Sequence, residues 1–418
     1  MLVFKFGGAS VKDADNIVNL ANVVKQFEGN QLLIVVSAMG KTTNALERLT
    51  KAYVDGDEQM HAVFDEIKKY HYEIIEQLFD KQDNIFNEVA NTFVEIDWVI
   101  EDDPHDDYDF IYDQVVSIGE LVSTRIVNAY LNKAGVKSQW VDVRGYVHTD
   151  NNYREGGVQW GKTKESISNG IPPLLDKGIV VTQGFLGGTS ENFTTTLGRE
   201  GSDYTASIFA SCLGAESVTT WKDVPGVLNA DPKLFQDTIK FDELSYSEAI
   251  EMTYYGATVI HPKTIKPLQN TNIPLLVKPF GDAGAPGTVI KEDGRNVFAK
   301  PVVIVKQNQV LVSLSAKDYS FISENHLSDI FGMFAQSHAK VNMMQTSALS
   351  FSVCIDYSES RFKKLLAALR QDFSVKYNEG LTLITVRHYS AEWLNDLKAG
   401  KTILMEQLSR NTIQMLVK

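Results

Sequence analysis

Cysteine, long apolar runs and positive charge are scarce in this chain. Its 418 residues hold two cysteines, Cys212 and Cys354. Two thiols cannot build a disulfide framework, so a reducing compartment is expected, with each cysteine a small apolar side chain. No segment reaches the roughly 18 uninterrupted apolar residues of a membrane-spanning helix. The N-terminus, MLVFKFGGAS, has too short an apolar run for a secretion signal. A soluble cytoplasmic protein without a membrane partner is therefore expected. Lys and Arg number 40 against 53 Asp and Glu, giving a net charge of −13. That deficit counts against nucleic acid as a partner. Apolar residues make up 44% and charged residues 22%, an ordinary globular composition. One core rarely grows beyond about 300 residues, so two or three domains are expected.

Many catalytic signatures are absent as well. There is no GxxxxGK[ST] loop, no HRD or DFG, no GxSxG elbow, no CxxC and no HExxH. The eight histidines show no ligand spacing, and no protein-built metal site is expected. His261, in GATVIHPKT, reads as a structural residue beside Pro262.

What is present is a series of apolar strands that end in glycine. LVFKF is followed by Gly7 and Gly8, QLLIVVSAMG ends at Gly40, and KGIVVTQGFLGG runs into a glycine pair. Amphipathic helical patterns separate them, the first over about 11–27 with Ser10 and Asp13 at its start. Strands apolar at every position, alternating with helices, indicate an α/β fold with a parallel sheet covered on both faces. Residues 50–112 instead read as a charged helical insertion ending in the acidic stretch EDDPHDDYD. Those carboxylates lack the spacing and glycine of a calcium loop, so they read as a solvated face.

The domain boundary is expected near residue 295. Beyond it, 301–418 follows a β-α-β-β-α-β order, which suits a small ferredoxin-like α+β sandwich. A second copy is predicted to start at LTLITVRH, with a helix near 401–410 and a last strand at the end. It is read as incomplete.

In open parallel sheets, ligands bind at the carboxyl ends of the strands, where four polar loops lie. KFGGAS joins Lys5 to two glycines and a helix start, which suits a phosphate. A tight turn with a surface lysine is the alternative. TTTLGREGSD offers Gly198 and Gly201 for close backbone approach and Arg199 as a fork for a carboxylate. Its Ser202 and Asp203 open a helix; Asp203 is either a first-turn acid or a group that holds a magnesium ion or orients the lysines around phosphates. Thr43, in SAMGKTTN, is either an N-cap or a ligand. Glu120, in SIGELVST, could bind an ammonium group or lie exposed on its helix.

Taken together, the loops resemble aspartate kinases of the amino-acid kinase superfamily. The resemblance is carried by KFGGASV, VVSAMGKTTNAL, SIGELVSTRI, QWVDVR, VVTQGFLG, TTTLGREGSDYTA, WKDVPGVLNADPK, EAIEMTYYGATVIHPKT and APGTVI, in family order over 1–290. It implies a three-layer αβα sandwich with a helical insertion over about 50–112, then an ACT-type regulatory region whose second module is incomplete. Kinase residues would be 1–295 and regulatory residues 301–418. It also implies ATP-dependent phosphorylation of the β-carboxylate of L-aspartate, the entry to lysine, threonine and methionine synthesis, with Mg2+ as cofactor.

The resemblance implies roles residue by residue. Lys5 would stabilise the transferred γ-phosphoryl, and Gly7, Gly8 and Ala9 would line the phosphates. Thr43, Glu120, Arg199, Gly201 and Ser202 would hold aspartate. Asp203 would organise the phosphate-side lysine and magnesium. Lys222, Asp223, Leu228, Lys233, Thr258 and Val259 would form the nucleotide side.

Departures are visible. Ala9 stands where many relatives have threonine, Leu228 for tyrosine, Lys233 for arginine and Thr258 for lysine. Lysine-sensitive relatives carry an aspartate and a Thr-Ser-Glu run in the regulatory region, where this chain has Asn342 and Thr346-Ser347-Ala348. Weak or absent feedback by lysine is expected, since an ammonium group would want the missing carboxylates. A homo-oligomer, a dimer, is expected from the unpaired edge of the shortened module. The alternatives are another amino-acid kinase, of the glutamate type, and an inactive amino-acid sensor.

Overall fold

The computed structural model describes residues 1–418 apart from 105, 258, 259, 297, 299 and 319 and the side chains of 391, 392 and 396. Thr258 and Val259 lie outside the described residues. In chain order the elements begin with β1 (Leu2–Phe6), α1 (Ala14–Lys25), β2 (Leu32–Val36), α2 (Thr42–Asp55), α3 (Met60–Leu78), α4 (Ile85–Ile100), α5 (Tyr108–Val116), α6 (Ile118–Lys133) and β3 (Ser138–Val141). They continue with α7 (Trp160–Gly170), α8 (Pro172–Leu175), β4 (Ile179–Gln183), β5 (Leu186–Gly188), β6 (Thr194–Thr196), α9 (Gly201–Leu213), β7 (Ser217–Lys222), β8 (Glu243–Ser245), α10 (Tyr246–Tyr255), α11 (Pro262–Thr271), β9 (Leu275–Pro279) and β10 (Thr288–Lys291).

These strands form one sheet in the order β3-β4-β2-β1-β7-β9-β10-β8. β3 to β9 run parallel, and β10 lies antiparallel to β9. All of β2 is buried, as a strand covered on both faces must be. Phe6 stacks on Trp221 at a centroid distance of 6.1 Å, and Phe4 meets the same ring edge-on at 5.5 Å, fastening β1 to β7. The charged segment is helical as expected, as α3, α4 and α5. Asp13 caps α1, accepting from the Asn16 N–H at 2.9 Å. Ser10 does not cap it: it is buried in a short 3-10 turn, Gly8–Val11.

The rest of the chain supplies β11 (Val302–Ala316), α12 (Glu324–Gln336), β12 (Val341–Thr346), β13 (Phe351–Asp356), α13 (Glu359–Asp372), β14 (Phe373–Arg387), α14 (Ala391–Lys398), β15 (Ile403–Leu408) and β16 (Thr412–Val417). Their antiparallel sheet has the order β12-β13-β11-β14-β16-β15. By contacts the chain divides into Met1–Val227 with Lys240–Ile250 and Thr258–Asn296, and a second unit of Leu228–Ile239, Glu251–Ala257 and Val297–Lys418. Two stretches from within 1–295 thus belong to the second unit.

The second unit corrects two sequence expectations. Residues 403–408 are a strand, and the helix predicted near 401–410 lies earlier, at Ala391–Lys398. SVKYN and LTLITVRH are one strand, β14, paired along its length with β11 across an irregularity between Lys306 and Leu311. That irregularity divides the sheet. Val310, Val312, Ile330, Phe334 and Leu365 make one core, and Val303, Ile384, Val386, Ile413 and Met415 make another. The second module therefore begins with residues 302–306, ahead of the first, so the first copy is inserted within the second.

Candidate active site

The centre of the site follows from strand register. Lys5 on β1 lies level with Thr220 on β7. Side chains alternate along a strand, so Lys222 shares a face with Thr220 and Lys5. Asp203, in the first turn of α9, meets both. Lys5 Nζ lies 2.6 Å from Asp203 Oδ1, and Lys222 Nζ lies 3.2 Å from Oδ2. Burial would raise the Asp203 pKa, but the two ammonium groups outweigh it and hold the carboxyl well below its ordinary range. Lys222 is held above its ordinary value: burial opposes this, and the charges of Asp203 and Glu200 overcome it.

Glycine lets two loops close over this cluster. A Cβ on Gly7 would sit 3.4 Å from Lys5 Nζ, and one on Gly8 would sit 2.8 Å from the carbonyl oxygens of both Ala38 and Gly40. The Gly40 N–H donates to Gly8 O at 3.0 Å. Ala9 is exposed beside them. Gly184, after β4, makes a third close approach, where a Cβ would come within 2.6 Å of Ser202 Cα. The ends of β1, β2, β4 and β7 and the start of α9 thus converge.

Beside the loops, α6 begins with a buried carboxylate. Glu120 is buried, and its Oε2 has no hydrogen-bond partner among the described residues. Burial raises its pKa to about 8, against a partly compensating hydrogen bond from the Ala38 backbone. Gly119 admits this approach, since its Cβ would already be 3.1 Å from Ala38 and Thr42. The exposed-helix alternative for Glu120 is thereby excluded. Thr43 is half-buried in the first turn of α2, whose N-cap is Lys41, so its N-cap alternative also falls. Arg199 is exposed and forms no ion pair among the described residues.

Leu228 and Lys233 lie in the Leu228–Ile239 stretch of the second unit. Lys222 and the exposed Asp223 therefore represent the expected nucleotide side in the first unit.

Three neighbours carried no sequence signal. His71 on α3 reaches Thr42 Oγ1 at 3.4 Å through Nε2 and Ile67 O at 2.7 Å through Nδ1. Burial lowers its pKa to about 4, so the ring is neutral. Lys263 Nζ is 3.5 Å from where a Cβ on Gly198 would lie. Glu200 titrates above the ordinary glutamate range, through burial and then the Asp203 charge, while Lys222 and Lys5 pull it back. The string GREGSD contained Glu200, but an acid between arginine and glycine reads as an ordinary loop residue.

The donor chemistry fits Mg2+ of one kind. No group of three His, Cys, Asp or Glu that could hold a metal occurs among the described residues. Two adjacent carboxylates, Asp203 and Glu200, suit an ion that keeps phosphate and water oxygens as its other ligands.

Residues 1–279 match the amino acid kinase family. Lysine-sensitive aspartokinase 3 of Escherichia coli (strain K12) is 32% identical over 394 residues, covering 92% of this chain and 86% of that protein. The crystal structure of E. coli aspartokinase III in complex with aspartate and ADP superposes with a TM-score of 0.86 at 29% identity, over 100% of this chain and 96% of that one. Its complex with lysine and aspartate gives 0.82 at 29% identity, with the same coverage. No described helix is long and apolar enough to cross a membrane.

Proposed function

The chain belongs to the amino acid kinase family and within it to the aspartokinases, and on that premise we propose that it phosphorylates the β-carboxylate of L-aspartate with ATP. The product is 4-phospho-L-aspartate. The observation that carries this reading is the buried Lys5–Asp203–Lys222 cluster at the glycine loops, beside a Glu120 carboxylate oxygen without a partner among the described residues.

The roles follow from charge. The substrate's β-carboxylate is ionised at neutral pH and needs no protein base, so catalysis is positioning and charge neutralisation. Lys5 meets the developing negative charge on the transferred phosphoryl group. Asp203 orients Lys5 and Lys222, and Gly7, Gly8 and Ala9 let backbone approach the phosphates. Glu120 accepts the substrate ammonium group, and Arg199 takes a carboxylate. Thr43, Gly201 and Ser202 complete that side. Lys222 and Asp223 serve the nucleotide, with Leu228, Lys233, Thr258 and Val259 assigned there by resemblance. When bound on the nucleotide, Mg2+ would neutralise phosphate charge, held by Asp203 and Glu200.

Weak feedback by lysine belongs to the same reading. Asn342 is already engaged: Lys306 Nζ donates to its Oδ1 at 2.8 Å, and its Nδ2 donates to Gln309 Oε1 at 2.8 Å and Asp356 Oδ1 at 2.9 Å. The chain's own ammonium group thus uses an acceptor that an effector ammonium would need. A homo-oligomer fits the edge strands β12 and β15, where Met344 and Leu408 are exposed. The free thiols of Cys212 and Cys354 suit the cytoplasm.

Steady-state ADP release tests the activity. Release should require both aspartate and Mg2+, with glutamate a poor substitute. Release indifferent to aspartate, or faster with glutamate, would overturn the assignment.

A further inference from the structure

We propose that Asp113 and Gln114 are positioning residues of the aspartate side: they bind the open edge of β6 to α5 and so fix where Arg199 stands relative to Glu120. The inference rests on the kinase reading above.

Strand geometry is the first observation. β6 pairs with β5 in a two-stranded antiparallel sheet. On the β5 side, Leu197 N–H donates to Phe185 O at 2.8 Å, and Phe193 O accepts from the Thr189 N–H at 2.9 Å. Backbone groups alternate in direction along a strand, so those of Thr194 and Thr196 point away from β5. Both residues are buried, where an unpaired backbone group is costly.

Side chains of α5 stand in for a further strand. Gln114 Oε1 accepts from the Thr194 N–H at 3.1 Å, and its Nε2 donates to Thr194 O at 2.9 Å. Asp113 Oδ2 accepts from the Thr196 N–H at 2.9 Å, and its Oδ1 accepts from Thr196 Oγ1 at 2.7 Å. The same Oδ2 accepts from the Arg154 N–H at 2.8 Å. Arg154 has left-handed backbone, with φ 66, and its carbonyl oxygen lies 3.3 Å from where a Cβ on Gly198 would stand. One buried carboxylate thus joins α5, the end of β6 and the turn packed on Gly198.

Both sides of this joint lead to substrate residues. Only Leu197 and Gly198 separate Thr196 from Arg199. α5 runs through Ser117 into α6, whose first turn bears Glu120. An ammonium group at Glu120 and a carboxylate at Arg199 would belong to one small substrate, so the spacing of the two residues sets how well it binds. Lys5 and Lys222 are carried by β1 and β7 of the main sheet and do not depend on the joint.

Steady-state kinetics of the full chain test this, with Asp113→Ala, Gln114→Met and Asp113→Asn. Asp113→Ala should raise the KM for aspartate about tenfold and Gln114→Met about threefold, with kcat and the KM for ATP within about twofold of wild type. Asparagine keeps an acceptor for both N–H groups on one oxygen and donates its amide to Thr196 Oγ1, so Asp113→Asn should return the aspartate KM to within about twofold of wild type. Gln114→Met preserves length at a half-buried position, and it carries the test even where Asp113→Ala does not fold. An aspartate KM unchanged in Gln114→Met would overturn the proposal. So would Asp113→Asn as impaired as Asp113→Ala, or a loss confined to kcat. Wild type without aspartate-dependent turnover would overturn the kinase reading and this proposal with it.

Discussion

Lys5 Nζ lies 2.6 Å from Asp203 Oδ1, with the two side chains 8% and 2% exposed. A pair so deeply buried is poor evidence of stabilisation, because desolvating both charges offsets most of their attraction. It serves better as charge held ready: Asp203 keeps Lys5 aimed until phosphate arrives.

Lys5→Met removes the charge that meets the phosphoryl group. Turnover should fall by about 100-fold or more. Aspartate affinity, set by the Glu120 side, should stay within about twofold in an equilibrium titration. Unchanged turnover would remove Lys5 from the mechanism.

Glu120 makes aspartate binding depend on pH. With its pKa near 8, the free enzyme holds this carboxyl protonated at neutral pH. A substrate ammonium group needs the carboxylate, so affinity should rise as pH climbs to about 8 and then level off, by up to about tenfold per pH unit. The ligand-free fold should show the opposite trend. Its raised pKa means that the native state holds the proton, so stability declines from about pH 4.5 to 8. Glu120→Gln should flatten the binding profile and weaken binding at pH 8. A wild-type profile without slope would exclude the role.

His71 predicts acid sensitivity. Its folded pKa of about 4 lies below the ordinary 6.5, so the unfolded chain takes up the proton first. The stability of the neutral ring is present above pH 6.5 and lost as pH falls toward 4, by up to about 3 kcal/mol. The Glu120 contribution is common to both proteins, so the difference in urea midpoint between wild type and His71→Asn should shift against wild type as pH falls across that window. A difference between the two proteins that does not change with pH would place the acid sensitivity elsewhere.

Lysine at low-millimolar concentration should inhibit weakly, because Lys306 and Asn342 satisfy each other. Asn342→Asp should increase sensitivity by supplying a carboxylate. Strong, saturable inhibition of wild type would contradict this account of the second unit.

The glycine loops were legible because they mark chain reversals at the ends of wholly apolar strands, a local pattern. What escaped the sequence depends on partners far along the chain. KTILMEQLSR carries good helix formers, yet 403–408 pairs with β16 as a strand, and sheet pairing overrides propensity. The insertion of one module in the other rests on Val302–Lys306 pairing with 383–387, some eighty residues later. His71 and Glu200 gave no local signal because their partners, Thr42 on α2 and the Lys5 cluster, lie elsewhere in the chain. The role of Asp203 was left open by its helix-start position and needed the β1–β7 register to resolve its geometry.

Trapping the acyl phosphate tests the central claim most directly. The chain, ATP, Mg2+ and aspartate are incubated with hydroxylamine, and aspartyl hydroxamate is quantified against a glutamate control and against Lys5→Met. The account predicts hydroxamate that saturates with aspartate, little with glutamate and almost none from the variant. ADP formed without hydroxamate, or equal product from Lys5→Met, would contradict it.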